Sequence, residues 1–463
     1  MASKRVVVVG GGIAGLTAVY RLQKLRPDVE ITLLEASDRL GGKLLTEHVD
    51  GFVVEGAPDS FLSRKPRGIA LVEELGLADK IQGRRPENKR TYVQRHGELH
   101  DLPEGLTGLI PTNLDALTNS TLLSTAGVAR VAEETAVPVR VGSDDETVAN
   151  FVTRRLGQEA FENLIEPLMG GIYGGRADLL SLQATFPQLR QLEQRHGSLL
   201  GGLTARNGAA SAAKYPPFVS LQGGMETLVS ALQDEIAGQQ VCLGAGVRRI
   251  VGENGRFQVE HSLDRHDQVM PDEYDALIVA TPAHVASKLV RGVEEELSCS
   301  LEKIPHSSSV VVSLGFDASN LPNLHGYGYV IPKAEGKEVL ACTWSSQKWA
   351  ERAPDGKMLL RVFIGRFGKD ATGYDDEKLL AMAQAELRET LGITAVPTLT
   401  RIHRWPQAMP QYTLGHLERV AAIENCVAQY DNLALAGAYF RGVGIPDCIQ
   451  SGELAAEKIA KSV

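Results

Sequence analysis

Apolar residues along the chain fall into two textures, short unbroken runs and helical stripes, and their order sketches the fold. Val6 to Val9 is a fully apolar run of the length of a strand buried on both faces, and Ile31 to Leu34 is another. Between them Ile13, Leu16, Thr17, Val19, Tyr20 and Leu22 make a helical pattern that ends near Pro27. Residues 5 to 35 therefore predict one strand, helix, strand unit. Residues 63 to 100 alternate polar helix and strand fragments without a clear period. From about 101 to 212 the texture is helical. Ser143 and Glu146 have the spacing of a capping box, Val148, Phe151, Val152 and Leu156 share a face, and Phe161, Leu164, Ile165 and Leu168 lead to a stop at Gly170-Gly171.

Strand texture returns over 241 to 281 and closes on the run from Asp275 to Thr281. Val310 to Phe316, Tyr327 to Ile331, Val339 to Trp344 and Met358 to Ile364 are then separated by Gly, Pro and Lys turns of antiparallel type. Leu379, Leu380, Met382, Ala383, Leu387 and Leu391 mark an amphipathic helix. Leu433 to Gly437 is a last apolar strand, running into Gly442-Val-Gly-Ile-Pro446 and a final helix whose first turn suits Pro446, which has no N–H to leave orphaned. The parallel-type runs lie at the start, middle and end of the chain, so one sheet is assembled from distant pieces. No internal repeat interrupts this order.

Composition narrows the class. At 463 residues, 43% hydrophobic and 23% charged, the chain predicts two or three compact lobes, and no stretch approaches the ~20 apolar residues that span a bilayer. Lys4-Arg5 followed by Val6 to Val9 imitates the start of a signal peptide, but cleavage there would destroy the first strand and turn. The five cysteines are scattered and form no C-x-x-C pair, which supports neither a disulfide framework nor a metal site and points to a reducing cytoplasm. A net charge of -9 argues against nucleic-acid binding, and an anionic ligand would have to find a local basic patch.

Gly10-Gly11-Gly12-Ile13-Ala14-Gly15 matches G-x-G-x-x-G directly after a strand and opens a helix, with Glu35 ending the next strand twenty residues after Gly15. Gly10 permits the tight turn, Gly12 lets backbone approach a pyrophosphate, and Gly15 allows close helix packing. The helix N-terminus offers N–H groups to the phosphate, and Glu35 can accept from ribose hydroxyls. A dinucleotide is expected here.

The segment that follows, Glu35-Ala36-Ser-Asp-Arg39-Leu-Gly41-Gly42-Lys43, resembles the second signature of glutathione-reductase-type flavoproteins. The resemblance implies non-covalently bound FAD, with Arg39 and the Gly41-Gly42 backbone along the pyrophosphate, and Val247 meeting the adenine through its backbone. Ala280-Thr281-Pro282 is similar to the family's strand-closing triplet. Longer motifs are similar to the porphyrinogen oxidases of haem synthesis: Glu55-Gly-Ala57-Pro58-Asp59-Ser60, Glu162 through Pro167 to Ile172-Tyr173, Gly223-Gly-Met-Glu-Thr-Leu, Arg404-Trp405 through Tyr412 to His416, and Gly442-Val443-Gly444-Ile445-Pro446-Asp-Cys-Ile. The last of these resembles the bacterial, coproporphyrin-forming branch.

What this resemblance implies is an α/β protein with a Rossmann FAD-binding domain (1–62, 213–290, 400–463), an antiparallel-sheet substrate domain (63–100, 291–399) and a helical insertion (101–212). Lys43, Ala57 to Ser60, Trp405 and Val443 to Ile445 are expected to contact FAD. Coproporphyrinogen III is the expected substrate, with protoporphyrinogen IX as a second, dioxygen as acceptor, peroxide as by-product and a haem-pathway enzyme as candidate partner. Ile172 and Tyr173 are candidate substrate residues, and Arg64, Lys65 and Arg176 are candidate partners for propionates. Gly174-Gly175-Arg176 departs from the Ala-Gly-Asp usual in relatives, placing a base where they carry an acid. Asp59 stands where longer eukaryotic relatives carry an arginine, so that propionate contact does not transfer. No triad or acid/base pair is apparent, and His403 and His416 read most simply as core or surface histidines. Leu106, Leu109 and Ile110 suggest a substrate gate or at most a peripheral lipid contact. Two alternatives remain: a flavin amine oxidase, with Trp405 and Tyr439 as an aromatic pair, and a flavin-free carrier on the same scaffold.

Overall fold

The computed structural model describes residues 3–107, 110–207, 214–263 and 266–463. Its centre is a five-stranded parallel sheet in the order Gln240–Cys242, Glu30–Leu34, Arg5–Val9, Ala276–Val279, Leu433–Leu435. Each strand is short and apolar because both faces are covered. Val6, Val8, Ala276 and Ile278 face one core with the helices Ile13–Leu25 and Ile445–Ser462, while Val7, Val9, Leu277 and Val279 face a second. The two helices approach closely: a Cβ at Gly452 would lie 2.2 Å from the Ala14 carbonyl oxygen.

A seven-stranded sheet lies beside it, in the order Leu399–Pro410, His306–Asp317, Lys357–Ile364, Val339–Trp344, Gly328–Val330, Tyr92–Arg95, Glu98–Asp101. All neighbours are antiparallel except Gly328–Val330 with Tyr92–Arg95. Val310, Val312, Leu314, Leu360 and Val362 pack under the helix Asp376–Leu391. Alternation puts Arg361, Phe363 and His403 on the opposite face. Strand Leu399–Pro410 belongs to this sheet, so the division expected at residue 400 cuts through a strand whose hydrogen bonds run to His306–Asp317. The fragments of 63–100 resolve into the helix Pro66–Glu74 and strands including Ile81–Gly83, Tyr92–Arg95 and Glu98–Asp101.

The helical region has its own core of Phe151, Val152, Leu156, Leu164, Met169 and Leu189. Two expectations are corrected there. Helix Val148–Leu156 is capped by Thr147, whose side chain accepts from Asn150 N at 3.1 Å, while Glu146 is drawn instead to Arg154 at 2.9 Å. Helix Glu166–Tyr173 runs through Gly170-Gly171 and ends at Gly174, whose φ of 54° supplies the left-handed cap that the preceding pair does not need to provide. Just before it the chain widens into a π turn over Phe161–Ile165, next to Pro167, which has no N–H to donate. Arg155, fully buried, is neutralised by Glu134, whose carboxylate also accepts from Leu199 N and Ser198 Oγ.

Ile110 is fully buried, so it cannot face lipid, and Leu109 lies outside the described residues. Among the described residues no helix is long and apolar enough to cross a membrane.

Candidate functional site

The glycine loop is shaped by steric demands that the structure makes explicit. Gly10 has φ 106°, and a Cβ there would lie 2.9 Å from Ala280 O. A Cβ on Gly15 would sit 1.9 Å from Gly10 O, so no other residue fits. Gly12 is different: its Cβ would meet nothing within 4 Å, which marks the open side where a ligand can reach the backbone and the start of helix Ile13–Leu25. Gly11 N donates to Glu35 Oε2 at 2.6 Å, and Ser37 N donates to Glu35 Oε1 at 2.8 Å. The acid is thereby fixed at the strand end before any ribose arrives.

Gly41-Gly42 crosses this loop. Gly41 N donates to Gly11 O at 2.8 Å, and a Cβ on Gly42, whose φ is 57°, would lie 3.1 Å from Gly12 Cα. Arg39 serves the turn itself, donating to Leu40 O at 3.0 Å, to Leu44 O at 3.2 Å and to Gly42 O. The next side chain, Lys43, has no hydrogen-bond or ion-pair partner among the described residues, and burial lowers its pKa. Val247 is held beside Glu35 because Ala245 N donates to Glu35 O at 2.9 Å and Gly244 N to Ser37 O at 2.8 Å, bringing Ala36 alongside. Val247 and Ala36 thus lie together beside Glu35 at the strand end.

The segment Ala57 to Ser60 is clamped onto the seven-stranded sheet. Lys348 Nζ reaches both Asp59 oxygens at 3.0 and 3.1 Å, Trp349 Nε1 donates to Asp59 Oδ2 at 3.0 Å, and Ser60 Oγ donates to Asp59 Oδ1 at 2.7 Å. Although burial opposes ionisation, the charges of Lys348 and Arg361 hold the Asp59 carboxyl well below the usual range. Arg361 also donates to Ala57 O, and Trp405 Nε1 donates to Gly56 O at 2.8 Å. Sequence reasoning missed Arg361, Lys348 and Trp349. An arginine inside the apolar strand Met-Leu-Leu-Arg-Val-Phe-Ile is a signal that could have found the first of them.

The last helix is aimed by the Pro410 to His416 motif. Tyr412 stacks on His416 with centroids 3.9 Å apart, its hydroxyl donates to Ala438 O, and Gly442 N donates to that hydroxyl at 2.8 Å. His416 Nε2 lies 2.8 Å from Phe440 O, and burial pushes its pKa down to about 4, so it is a neutral donor. Gln411 Nε2 donates to Tyr173 O at 2.9 Å and to Ser307 Oγ at 3.0 Å, joining the helical region to the strand His306–Asp317. His403 is buried with Nε2 2.6 Å from Glu47 Oε1. Both histidines are therefore structural in their bonding.

Ile172 is 48% exposed and Tyr173 is buried, with the Phe186 ring edge-on at 6.1 Å. Burial, with a smaller contribution from the Asp447 carboxylate, raises the Tyr173 pKa. Neither Lys65 nor Arg176 is a free cation. Lys65 Nζ binds Asp447 at 2.5 and 2.7 Å, and Arg176 binds Asp178 at 2.5 and 3.1 Å. Arg64 is exposed. Asp447 also accepts from Gly444 N at 3.1 Å, the N-cap bond of the last helix, a role its position three residues after Gly444 made readable.

The residues fit a dinucleotide carrying a flavin: an open glycine face, a fixed acid, a lysine without a partner among the described residues, and the buried Thr281 Oγ1 and Tyr439 Oη, which likewise have no hydrogen-bond partner among the described residues. Residues 13–460 match the family of flavin containing amine oxidoreductases. The chain is 36% identical to the coproporphyrinogen III oxidase of Bacillus subtilis (strain 168), over 98% of this chain and 97% of that one. It is 30% identical to protoporphyrinogen oxidase 1, chloroplastic, of Arabidopsis thaliana, over 96% of this chain and 86% of that one. The crystal structure of "Putative protoporphyrinogen oxidase" from Exiguobacterium sp. 255-15 superposes with a TM-score of 0.89 at 33% identity, covering all of both chains. The chain is an FAD-dependent oxidoreductase of the flavin-containing amine oxidoreductase family, and within it belongs to the porphyrinogen oxidases.

Proposed function

We propose that the chain oxidises coproporphyrinogen III to coproporphyrin III in three two-electron rounds, with dioxygen as acceptor, and oxidises protoporphyrinogen IX less well. The observation that carries this reading is the bond between Gln411 and Tyr173, which couples the Ile172-Tyr173 motif to the strand leading into the Tyr412-supported loop Val443 to Ile445. A half-exposed isoleucine on that motif gives a flat macrocycle an apolar rest.

Bound FAD supplies the hydride acceptor. The chain's contribution is placement and exclusion of water. Glu35 and the glycine backbone seat the nucleotide end, and Lys43 supplies a positive charge next to it. Arg361 and Trp405 hold Gly56-Ala57 in place through their carbonyls. The start of helix Ile445–Ser462 presents its N–H end toward the ring system, which favours negative charge developing there. Lys65 and Arg176 can take substrate carboxylates only by exchanging Asp447 and Asp178 for them, so propionate capture is a competition between ion pairs. The amine-oxidase alternative has less support, because the Glu162 to Tyr173 motif has no task there.

Anaerobic mixing with each substrate tests the proposal. The flavin absorbance should bleach fastest with coproporphyrinogen III, more slowly with protoporphyrinogen IX and not with spermine or tyramine. Bleaching by an amine alone would replace this reading.

A further inference from the structure

Two histidines that no motif singled out meet beside Lys43. His284 lies in the first turn of helix Ala283–Val290, directly after the Thr281-Pro282 strand closure, and His306 opens the strand His306–Asp317. Their rings are edge-to-face with centroids 4.9 Å apart. His306 Nδ1 lies 2.9 Å from Ile304 O, so it carries the proton and leaves Nε2 to take another. Among the described residues His284 Nδ1 is buried without a partner. The basic groups acting on the pair are Lys43, from the turn after Gly42, and Lys288, from the helix of His284 itself. Cys448 of the last helix is the ionisable neighbour of Lys43. Basic groups from three elements thus converge with no acid among the described residues acting on them, next to the loop where Gly10 lies against Ala280 and Thr281 and Gly42 against Gly12.

We propose that His284 and His306, with Lys43, form a proton-linked corner of the cofactor site that takes up a proton when the pyrophosphate of FAD binds. The inference rests on the FAD placement proposed above. Without the cofactor, burial and then the neighbouring basic groups keep the pair neutral, with His306 pushed down to about 4 and His284 also lowered. A pyrophosphate diester brings two negative charges at every pH of interest, and an anion raises the pKa of a nearby imidazole. The bound-state pKa therefore exceeds the free-state value, so affinity for FAD rises as pH falls through the bound-state pKa and levels off below the free-state one. An imidazole pKa raised by about one on binding makes the dissociation constant about ten-fold smaller on the acid side.

The test is release of FAD from the diluted holoenzyme between pH 5 and 8.5, read by recovered flavin fluorescence with tryptophan emission monitoring the fold. Release constants should be flat from pH 8 to pH 6.5 and fall about two-fold or more by pH 5, where the ten-fold limit is only partly reached, and His284→Gln with His306→Gln should flatten that slope. Lys288→Gln, an exposed change that removes a repelling charge, should move the midpoint to higher pH. A wild-type release constant independent of pH, or an equal slope in the double variant, overturns the proposal. Protein purified without FAD would instead overturn the cofactor placement on which it depends.

Discussion

The two ends of the proposed site, a nucleotide end and a substrate end, are built on opposite principles. At the nucleotide end the contacts are backbone and steric: Gly15 is forced by a carbonyl 1.9 Å from any Cβ, and Glu35 is held by the Gly11 and Ser37 N–H groups. At the substrate end the contacts are side-chain charges already satisfied within the chain, Lys65 by Asp447 and Arg176 by Asp178. The first end is preformed for a single ligand, since a backbone loop cannot rearrange without moving the sheet beneath it. The second is exchangeable, since an ion pair between half-exposed side chains is worth only about 0 to 1 kcal/mol. On the proposed function, a cofactor that stays and a substrate that leaves as product after several rounds fit this difference.

The sharpest way to break the comparison is inside the glycine loop. Gly15→Val should prevent a stable fold, because its side chain meets the Gly10 carbonyl and overpacking of this severity costs more than the usual ~1 to 3 kcal/mol. Gly12→Val points into open space, so the apoprotein should fold with a near-native urea midpoint and purify colourless. Full FAD occupancy in Gly12→Val would show that the open side is not the pyrophosphate's approach.

A smaller effect is expected at His416, which steadies the segment before the last helix through its bond to Phe440 O. Its folded-state pKa is lowered to about 4 by burial, below the unfolded value of about 6.5. The stability contributed by the neutral ring is fully present above pH 6.5 and is lost as pH falls toward 4, because the unfolded chain then binds a proton that the folded one refuses. The loss sums to about 3 kcal/mol. His416→Phe should be less stable than wild type at pH 7 but should lose less between pH 6.5 and 4.5. Parallel pH profiles of the urea midpoint would mean that His416 does not control the acid limb.

These differences also explain what was legible in the sequence. Gly10, Gly12, Gly15 and Glu35 were readable because a turn, a close approach and a strand end impose residue types at fixed local spacing. The parallel sheet was readable because its strands are apolar on both faces. The pairing of Lys65 was not, since its partner lies 382 residues away and nothing local distinguishes a lysine awaiting a ligand from one already paired. Arg39 shows the same limit: its position beside the cofactor loop was evident, but its three bonds to the carbonyls of its own turn were not. The helix stop placed at Gly170-Gly171 failed because small residues inside a helix carry the same letters as a cap, and Arg366 and Val330 sit 3.4 Å from where their Cβ atoms would be.

The finest test concerns the exchangeable end. Lys65→Ala removes a cation from the cleft and should raise KM for coproporphyrinogen III about ten-fold, the scale of one charge-assisted contact, with a smaller rise for protoporphyrinogen IX, which has fewer propionates to place. Asp447→Asn keeps an acceptor for Gly444 N, and so the helix cap, but no longer neutralises Lys65. With its competitor gone, the ammonium should bind substrate carboxylate more readily, lowering KM for the tetracarboxylate by up to about five-fold, because the pair being broken is only partly shielded, at 40% and 16% side-chain exposure. Asp178→Asn should act in the same direction on Arg176 but more weakly, since both members of that pair are 39% exposed. Opposite signs for Lys65→Ala and Asp447→Asn are the signature of competition. If both raise KM equally, the Lys65 to Asp447 pair is a fixed strut of the flavin helix, and the substrate end is as preformed as the nucleotide end.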